Sequence, residues 1–288
     1  MNLDSNLQRN SQVPIFILAG GLGTRISEET LVKPKPMIEI GGYPMITHIM
    51  RYYYSFGFND FVICAGYLSK IIKDYFKNYE LHYNHLEVDN RNLTHGNHEI
   101  TPTPTTFSNR RRALEQWRVR VLDTGLATMT GARLIRALDI IENRDLCEIS
   151  TFGVTYGDGL TDCDLNLELD FHYKHKKIAT VLGVKPQARF GELDPRSDGL
   201  VSGFLEKPES KQGFISGGYF FFENSFRRYL TTEASCVLEQ SPLKQLTQDK
   251  ELYMYEHNGF WSCMDTLRDK VYLQELWDSK NCTWKREG

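Results

Sequence analysis

Short continuous apolar runs alternate along this chain with stretches in which apolar residues recur every three or four positions. Residues 14–19 (PIFILA) form such a run and end on two glycines, the pattern of a strand buried on both faces that opens onto a loop. Over 44–56, Met45, Ile46, Ile49, Met50 and Tyr53 fall at helical spacing, with Gly57 as a stop. A second buried strand is predicted at 61–65, and a helix over 68–79 carries Ile71, Ile72, Tyr75 and Phe76 on one stripe. Two strand–helix units in succession predict right-handed crossovers and a parallel sheet. The pattern weakens over 81–117 and then resumes: strand 119–122, helix 130–142, strand 149–156, helix 165–176 and strand 179–184. Turn signals at Asp194-Pro195 and Asp198-Gly199 predict a hairpin within 189–208. A buried strand over 214–222, a helix near 243–249, a strand near 252–256 and a final helix over 266–277 complete the series. The fold class is α/β: a mostly parallel sheet flanked by helices, with inserted β-hairpins.

The chain has 288 residues, 41% of them hydrophobic and 25% charged, which excludes disorder, collagen-like repeats and a coiled coil as descriptions of the whole. With 34 basic against 37 acidic residues the net charge is −3, so no global field attracts nucleic acid or an anionic membrane. An anionic partner must be met by a local cluster. Six cysteines without a C-x-x-C pair predict reduced thiols in a cytoplasmic protein. Nowhere is there an apolar run long enough to span a bilayer. The polar segment 1–13 is expected as a loose tail, and 14–288 as one domain with an excursion at about 81–117 and a hairpin part at about 185–265. In the excursion, His82, His85, His95 and His98 match no metal-binding spacing and read as loop histidines, and Arg110, Arg111 and Arg112 as a solvated face.

The most informative stretch is Leu18, Ala19, Gly20, Gly21, Leu22, Gly23, Thr24, Arg25, followed by Lys33-Pro34-Lys35-Pro36-Met37. Glycines after a strand let backbone N–H groups approach a phosphate chain, and Arg25 and Lys35 add fixed cations. It is neither a Walker loop nor a dinucleotide fingerprint, because no Gly-Lys-[Ser/Thr] follows and the G-x-G-x-x-G spacing is missing. Asp158, between two glycines at the end of a predicted core strand, sits where open α/β sheets place ligands. A divalent metal on a nucleotide needs a second converging carboxylate, and Asp265 is the candidate. The spacing leaves open whether Asp158 is a turn residue and Asp265 a helix N-cap.

Together with Arg25-Ile-Ser-Glu-Glu-Thr30, Val121-Leu-Asp-Thr-Gly125, Met129-Thr-Gly-Ala-Arg133, Tyr156-Gly-Asp-Gly159, Glu206-Lys-Pro208 and Met264-Asp-Thr-Leu-Arg-Asp-Lys270, these segments resemble the sugar-1-phosphate nucleotidyltransferases, and within them the glucose-1-phosphate cytidylyltransferases. The resemblance runs in order from about residue 14 to about residue 285. It implies a Rossmann-like fold of the nucleotide-diphospho-sugar transferase type. It implies that 18–25 wrap the nucleotide, with Arg25 and Lys35 on its phosphates, Thr128 and Arg133 at the CTP site, and Gly157 beside the base or ribose. Asp158 and Asp265 would hold Mg²⁺. Lys207 would meet the sugar phosphate, with Glu206, Ser216 and Gly218 lining the sugar. A cytoplasmic homo-oligomer is implied, a hexamer among the options, with 81–117 as the place for a subunit contact.

The implied reaction, CTP and α-D-glucose 1-phosphate to CDP-glucose and diphosphate, needs no general base, since the attacking sugar-phosphate oxygen is already an anion. Catalysis would be positioning and charge stabilisation by Arg25, Lys35, Lys207, Asp158 and the metal. Three positions depart from the family pattern: Ser216 stands where asparagine is usual, Ala132 where glycine is, and Thr128 where serine is common. These leave open a different phosphorylated acceptor. A non-catalytic sugar-nucleotide binder is the rival reading, against which Arg25, Lys35, Asp158, Lys207 and Asp265 all speak.

Overall fold

The computed structural model describes residues 3–21, 30, 32–83, 115–145, 148–185, 192–195, 200–205 and 213–286. Beside the short pair β2 (Glu39–Ile40) and β3 (Tyr43–Pro44), seven strands form one sheet: β1 (Ile15–Ala19), β4 (Asp60–Ala65), β5 (Arg118–Asp123), β6 (Thr151–Tyr156), β8 (Ala179–Val184), β11 (Ile215–Glu223) and β12 (Leu252–His257). Their order across the sheet is β12-β8-β11-β6-β1-β4-β5. All run in one direction except β11, which pairs antiparallel with both β6 and β8. The expected mostly parallel α/β sheet is present. Its carboxyl ends lie together at Ala19, Ala65, Asp123 and Tyr156, since Ala19 pairs with Ala65, Ala65 with Asp123, and Leu18 with Tyr156.

The period-two geometry of a strand sends alternate side chains of β1 to opposite faces. Ile15 and Ile17 join one core cluster with Ile49, Phe58 and Phe221, whereas Phe16 and Leu18 join another with Leu134, Leu138 and Phe152. A strand buried on both faces has to be apolar throughout, which is why its sequence is a run without alternation. Helices Met45–Tyr54, Thr130–Asp145, Leu165–His175 and Leu267–Asp278 cover the faces, close to their predicted spans. The hairpin predicted within 189–208 is present as β9 (Glu192–Pro195) paired antiparallel with β10 (Val201–Leu205).

The expected loose tail is instead a helix, Leu3–Asn10, tied to the body by polar groups. Asn10 is completely buried and donates both to the Phe56 carbonyl and to Asn166 Oδ1 at 2.7 Å, and Arg9 pairs with Asp170. Leu7 rests on Gly57 (φ +94°), where a Cβ would come within 2.7 Å of it. Apolar periodicity misses such a helix because its anchors are an amide and an ion pair. Of the excursion, 84–114 lies outside the described residues, which takes in His85, His95, His98 and the arginine triplet; His82 is described and stacks on Tyr75 with centroids 5.0 Å apart. No helix among the described residues is long and apolar enough to cross a membrane.

Candidate active site

β6 ends at Tyr156, and after Gly157 and Asp158 the chain enters β7 (Gly159–Thr161), which pairs antiparallel with β13 (Trp261–Cys263). Gly159 faces Cys263, and the Met264 N–H donates to the Asp158 carbonyl at 2.8 Å. This short ladder sets Asp158 and Asp265 side by side. Between them lies the Lys35 ammonium, donating to Asp158 Oδ2 at 2.5 Å and to Asp265 Oδ1 at 2.6 Å. Lys35 opens a 3₁₀ turn, Lys35–Met37, and is flanked by Pro34 and Pro36. Pro36 seats on Gly157, where a Cβ would fall 2.6 Å from the Pro36 ring. Burial works to lower the Lys35 pKa, but the charges and hydrogen bonds of Asp158 and Asp265 outweigh it, so the pKa lies above the ordinary lysine value and the ammonium stays charged.

Asp265 does not cap the last helix. Thr266 is the N-cap and forms a capping box with Asp269, whose Oδ2 also accepts from the Asp265 N–H at 3.0 Å. Because a neighbour closes the helix, the Asp265 carboxylate is left for the site. Cys263 Sγ donates to Asp265 Oδ2 at 3.5 Å, and burial, reinforced by the carboxylates of Asp265 and Asp158, pushes this thiol up to about 12.

The carboxylate pair stands at the wall between two cavities. The larger, about 310 Å³, is bounded by Leu18, Ala19, Gly20, Gly21, Lys35, Pro36, Thr128, Met129, Thr130, Arg133, Tyr156, Gly157, Asp158 and Asp265. The smaller, about 210 Å³, takes in Ser216, Gly217, Gly218, Trp261 and Cys263, and shares Tyr156, Asp158 and Asp265 with the first. A group entering from either side meets the same two carboxylates. Gly218 (φ +77°) leaves room for the Tyr156 ring, which a Cβ there would approach to 2.5 Å. The Trp261 indole is held by a 2.7 Å bond to the Gly217 carbonyl.

Arg133, on the helix Thr130–Asp145, is only 4% exposed. Its terminal nitrogens donate to the carbonyls of Ala65, Gly125, Gly20 and Leu126 and to Thr124 Oγ1. One guanidinium therefore pins the loops leaving β1, β4 and β5. Gly20, read in the sequence as part of a phosphate cradle, owes its missing side chain to this contact; of the two described glycines in this loop, Gly21 is the one with open space where a Cβ would stand. Burial holds the Arg133 pKa below its ordinary value. Thr128 Oγ1 accepts from Arg136 at 2.9 Å while bordering the larger cavity.

Of the residues expected at the site, Leu18, Ala19, Gly20, Gly21, Lys35, Thr128, Arg133, Gly157, Asp158 and Asp265 come together around the larger cavity, and Ser216 and Gly218 border the smaller one. Leu22, Gly23, Thr24, Arg25, Glu206 and Lys207 lie outside the described residues. Tyr156, Met129 and Pro36 lie inside recognised segments but receive no role from the sequence, and Trp261 lies three residues before one. Two carboxylates that already converge on one cation suit a divalent metal that keeps water or phosphate as its other ligands. Among the described residues no group of three or more histidines, cysteines or carboxylates is placed to hold a metal.

The nucleotidyl transferase family profile matches residues 15–266. The glucose-1-phosphate cytidylyltransferase of Salmonella typhimurium is 44% identical over 272 residues, covering 93% of this chain and 97% of the relative. That of Salmonella typhi is 43% identical over the same shares. Among solved structures, HddC from Yersinia pseudotuberculosis complexed with GMP-PN superposes with a TM-score of 0.59 at 18% identity, covering 92% of this chain and 99% of that one, which supports the fold. With a profile match across most of its length and relatives above 40% identity along nearly all of theirs, the chain belongs to the nucleotidyl transferase family, on its glucose-1-phosphate cytidylyltransferase branch.

Proposed function

We propose that this enzyme transfers the cytidylyl group of CTP to α-D-glucose 1-phosphate, giving CDP-glucose and diphosphate, with Mg²⁺ as its metal. The observation that carries this is the position of Asp158 and Asp265, at the wall common to two cavities and in contact with Lys35. Nucleotide in the larger cavity and sugar phosphate in the smaller would meet at that wall. An oxygen of the sugar phosphate forms a bond to the α-phosphorus of CTP, the bond from that phosphorus to the bridging oxygen of the β-phosphate breaks, and diphosphate leaves with the electron pair. No proton has to move, because the attacking oxygen is ionised at neutral pH.

The chief obstacle is repulsion between two anions. Asp158 and Asp265 would hold Mg²⁺, which when bound neutralises phosphate charge. Lys35 and Arg25 act on the nucleotide phosphates and Lys207 on the sugar phosphate. Gly21 allows close backbone approach, and the buried Arg133 charge adds a fixed positive potential behind the larger cavity. Ser216 and Gly218 face the sugar. The family resemblance supports a cytoplasmic homo-oligomer, which light scattering on the purified protein checks.

The deciding experiment is a panel of nucleoside triphosphates against several sugar 1-phosphates with Mg²⁺, read by pyrophosphate release. Release with CTP and glucose 1-phosphate well above all other pairs is expected. Release with no pair would sink the enzyme reading, and release with CTP but another acceptor would sink only glucose 1-phosphate.

A further inference from the structure

Lys35 has two claims on it that cannot both be met at once. The proposed function places its ammonium on a nucleotide phosphate, yet it lies between the two carboxylates that would carry the metal, at 2.5 Å from Asp158 and 2.6 Å from Asp265. Two carboxylate oxygens in contact with one ammonium already define a cation-binding point. A divalent cation coordinated by the same oxygens would stand within a few ångströms of the ammonium, and like charges that close exclude one another. Among the described residues, one direction of retreat is open. Asp158 and Asp265 border both cavities, but Lys35 borders only the larger. Its stem starts from a turn clamped by Pro34, Pro36 and Gly157, so the four-carbon side chain can swing while its backbone stays in place.

We propose that Lys35 is the resident counter-cation of the Asp158–Asp265 pair, and that it yields the pair to an incoming divalent cation and swings into the larger cavity to meet the nucleotide's phosphates. Lys35 then performs two successive tasks. Before metal enters, it holds two carboxylates together that would otherwise repel one another. Afterwards it adds positive charge on the nucleotide side, so metal entry and phosphate capture are coupled. This inference rests on the metal-dependent reading above.

The test uses the full-length protein without nucleotide. Mn²⁺ binding, measured by electron paramagnetic resonance, should be at least tenfold tighter in Lys35→Met than in the unaltered protein, because the resident cation no longer competes. Equal or weaker binding overturns the proposal. In the unaltered protein, reductive methylation read by mass spectrometry should modify Lys35 several-fold faster once Mn²⁺ is added. Lys177, paired with Glu251 away from the site, serves as the control whose rate stays constant. A Lys35 rate that is unchanged or slowed also overturns it, whatever the stability of the variant. Pyrophosphate release from CTP and glucose 1-phosphate is assayed on the same preparation. Release without exchange removes the Lys35 proposal and leaves the function, whereas exchange without release does the reverse.

Discussion

The Arg133 guanidinium occupies the space that a side chain at Gly20 would need. Its Nη2 donates to the Gly20 carbonyl at 2.8 Å, and a Cβ at Gly20 would lie 2.2 Å from its Cζ. Gly66 is shaped by the same group, since a Cβ there would stand 2.4 Å from Nη1. A glycine in the Gly-rich loop after β1 thus serves a buried strap.

Gly20→Ala should therefore push Arg133 off its acceptors. Overpacking of this kind costs about 1–3 kcal/mol, and the nucleotide KM should rise at least about tenfold, equivalent to ~1.4 kcal/mol. Arg133→Lys keeps the charge but cannot span acceptors on three loops, and stranded carbonyls should cost about 2–4 kcal/mol. Denaturant unfolding and CTP kinetics check both. A Gly20→Ala protein with unaltered stability and KM would show that the strap does not matter.

The capping box separates two adjacent residues by function. Thr266→Ala removes the N-cap and should cost about 1 kcal/mol of stability with kcat preserved. Asp265→Asn and Asp158→Asn should leave the fold intact and lower kcat by about 10³-fold or more, as losses of charge stabilisation in a transition state do. Thermal melts alongside turnover numbers give the comparison. Near-normal turnover in Asp158→Asn would remove it from the metal site.

The two cavities should be separable kinetically. Ser216 borders the smaller one and its Oγ accepts from the Gly218 N–H at 3.3 Å, leaving a shorter group than an amide to meet a sugar hydroxyl. Ser216→Asn should shift the KM for sugar phosphate several-fold and leave that for CTP unchanged. Lys207→Ala should raise the sugar-phosphate KM far more than the CTP KM. Parallel changes in both constants would contradict the assignment of the cavities.

Glu168 is completely buried on the helix Leu165–His175, and neither carboxyl oxygen has a hydrogen-bond partner among the described residues. Burial raises its pKa from 4.5 to about 8, with Tyr53, Tyr219 and Cys163 among its surroundings. A folded-state pKa above the unfolded one means that folding retains a proton. The associated stability is full below about pH 4.5 and is lost as pH rises towards 8, by a few kcal/mol at most. Glu168→Gln, which cannot ionise, should lack this decline. Urea unfolding of both proteins from pH 5 to 8.5 checks it, and parallel stability curves would place the carboxyl's titration elsewhere.

Several features were legible because they are local. The run Ile15–Ala19 could be read as a doubly buried strand, and the stripe of Leu134, Leu138 and Ile141 as a helix face, because each depends only on a residue's own period. The segments that line the larger cavity were also recognisable, since the Gly-rich strand exit and Tyr156-Gly-Asp-Gly159 carry their chemistry within a few positions. The N-terminal helix was not, because what orders it is Asn10 meeting Phe56 and Asn166, residues remote in the chain. Nor could spacing distinguish Asp265 as a site carboxylate from Asp265 as a cap. That depended on whether Thr266 and Asp269 closed the helix first.

By itself, then, the sequence determined the order of the core strands and helices, the chemical groups available and the family they belong to. It did so because hydrophobic period, turn residues and capping chemistry act over roughly four to ten neighbours. Only the tertiary structure decided that β11 runs against the rest of the sheet, that Gly20 makes room for Arg133, and that Lys35 lies between Asp158 and Asp265. Those outcomes depend on strand register and on which side chains compete for one volume, and both are settled only when distant segments pack together.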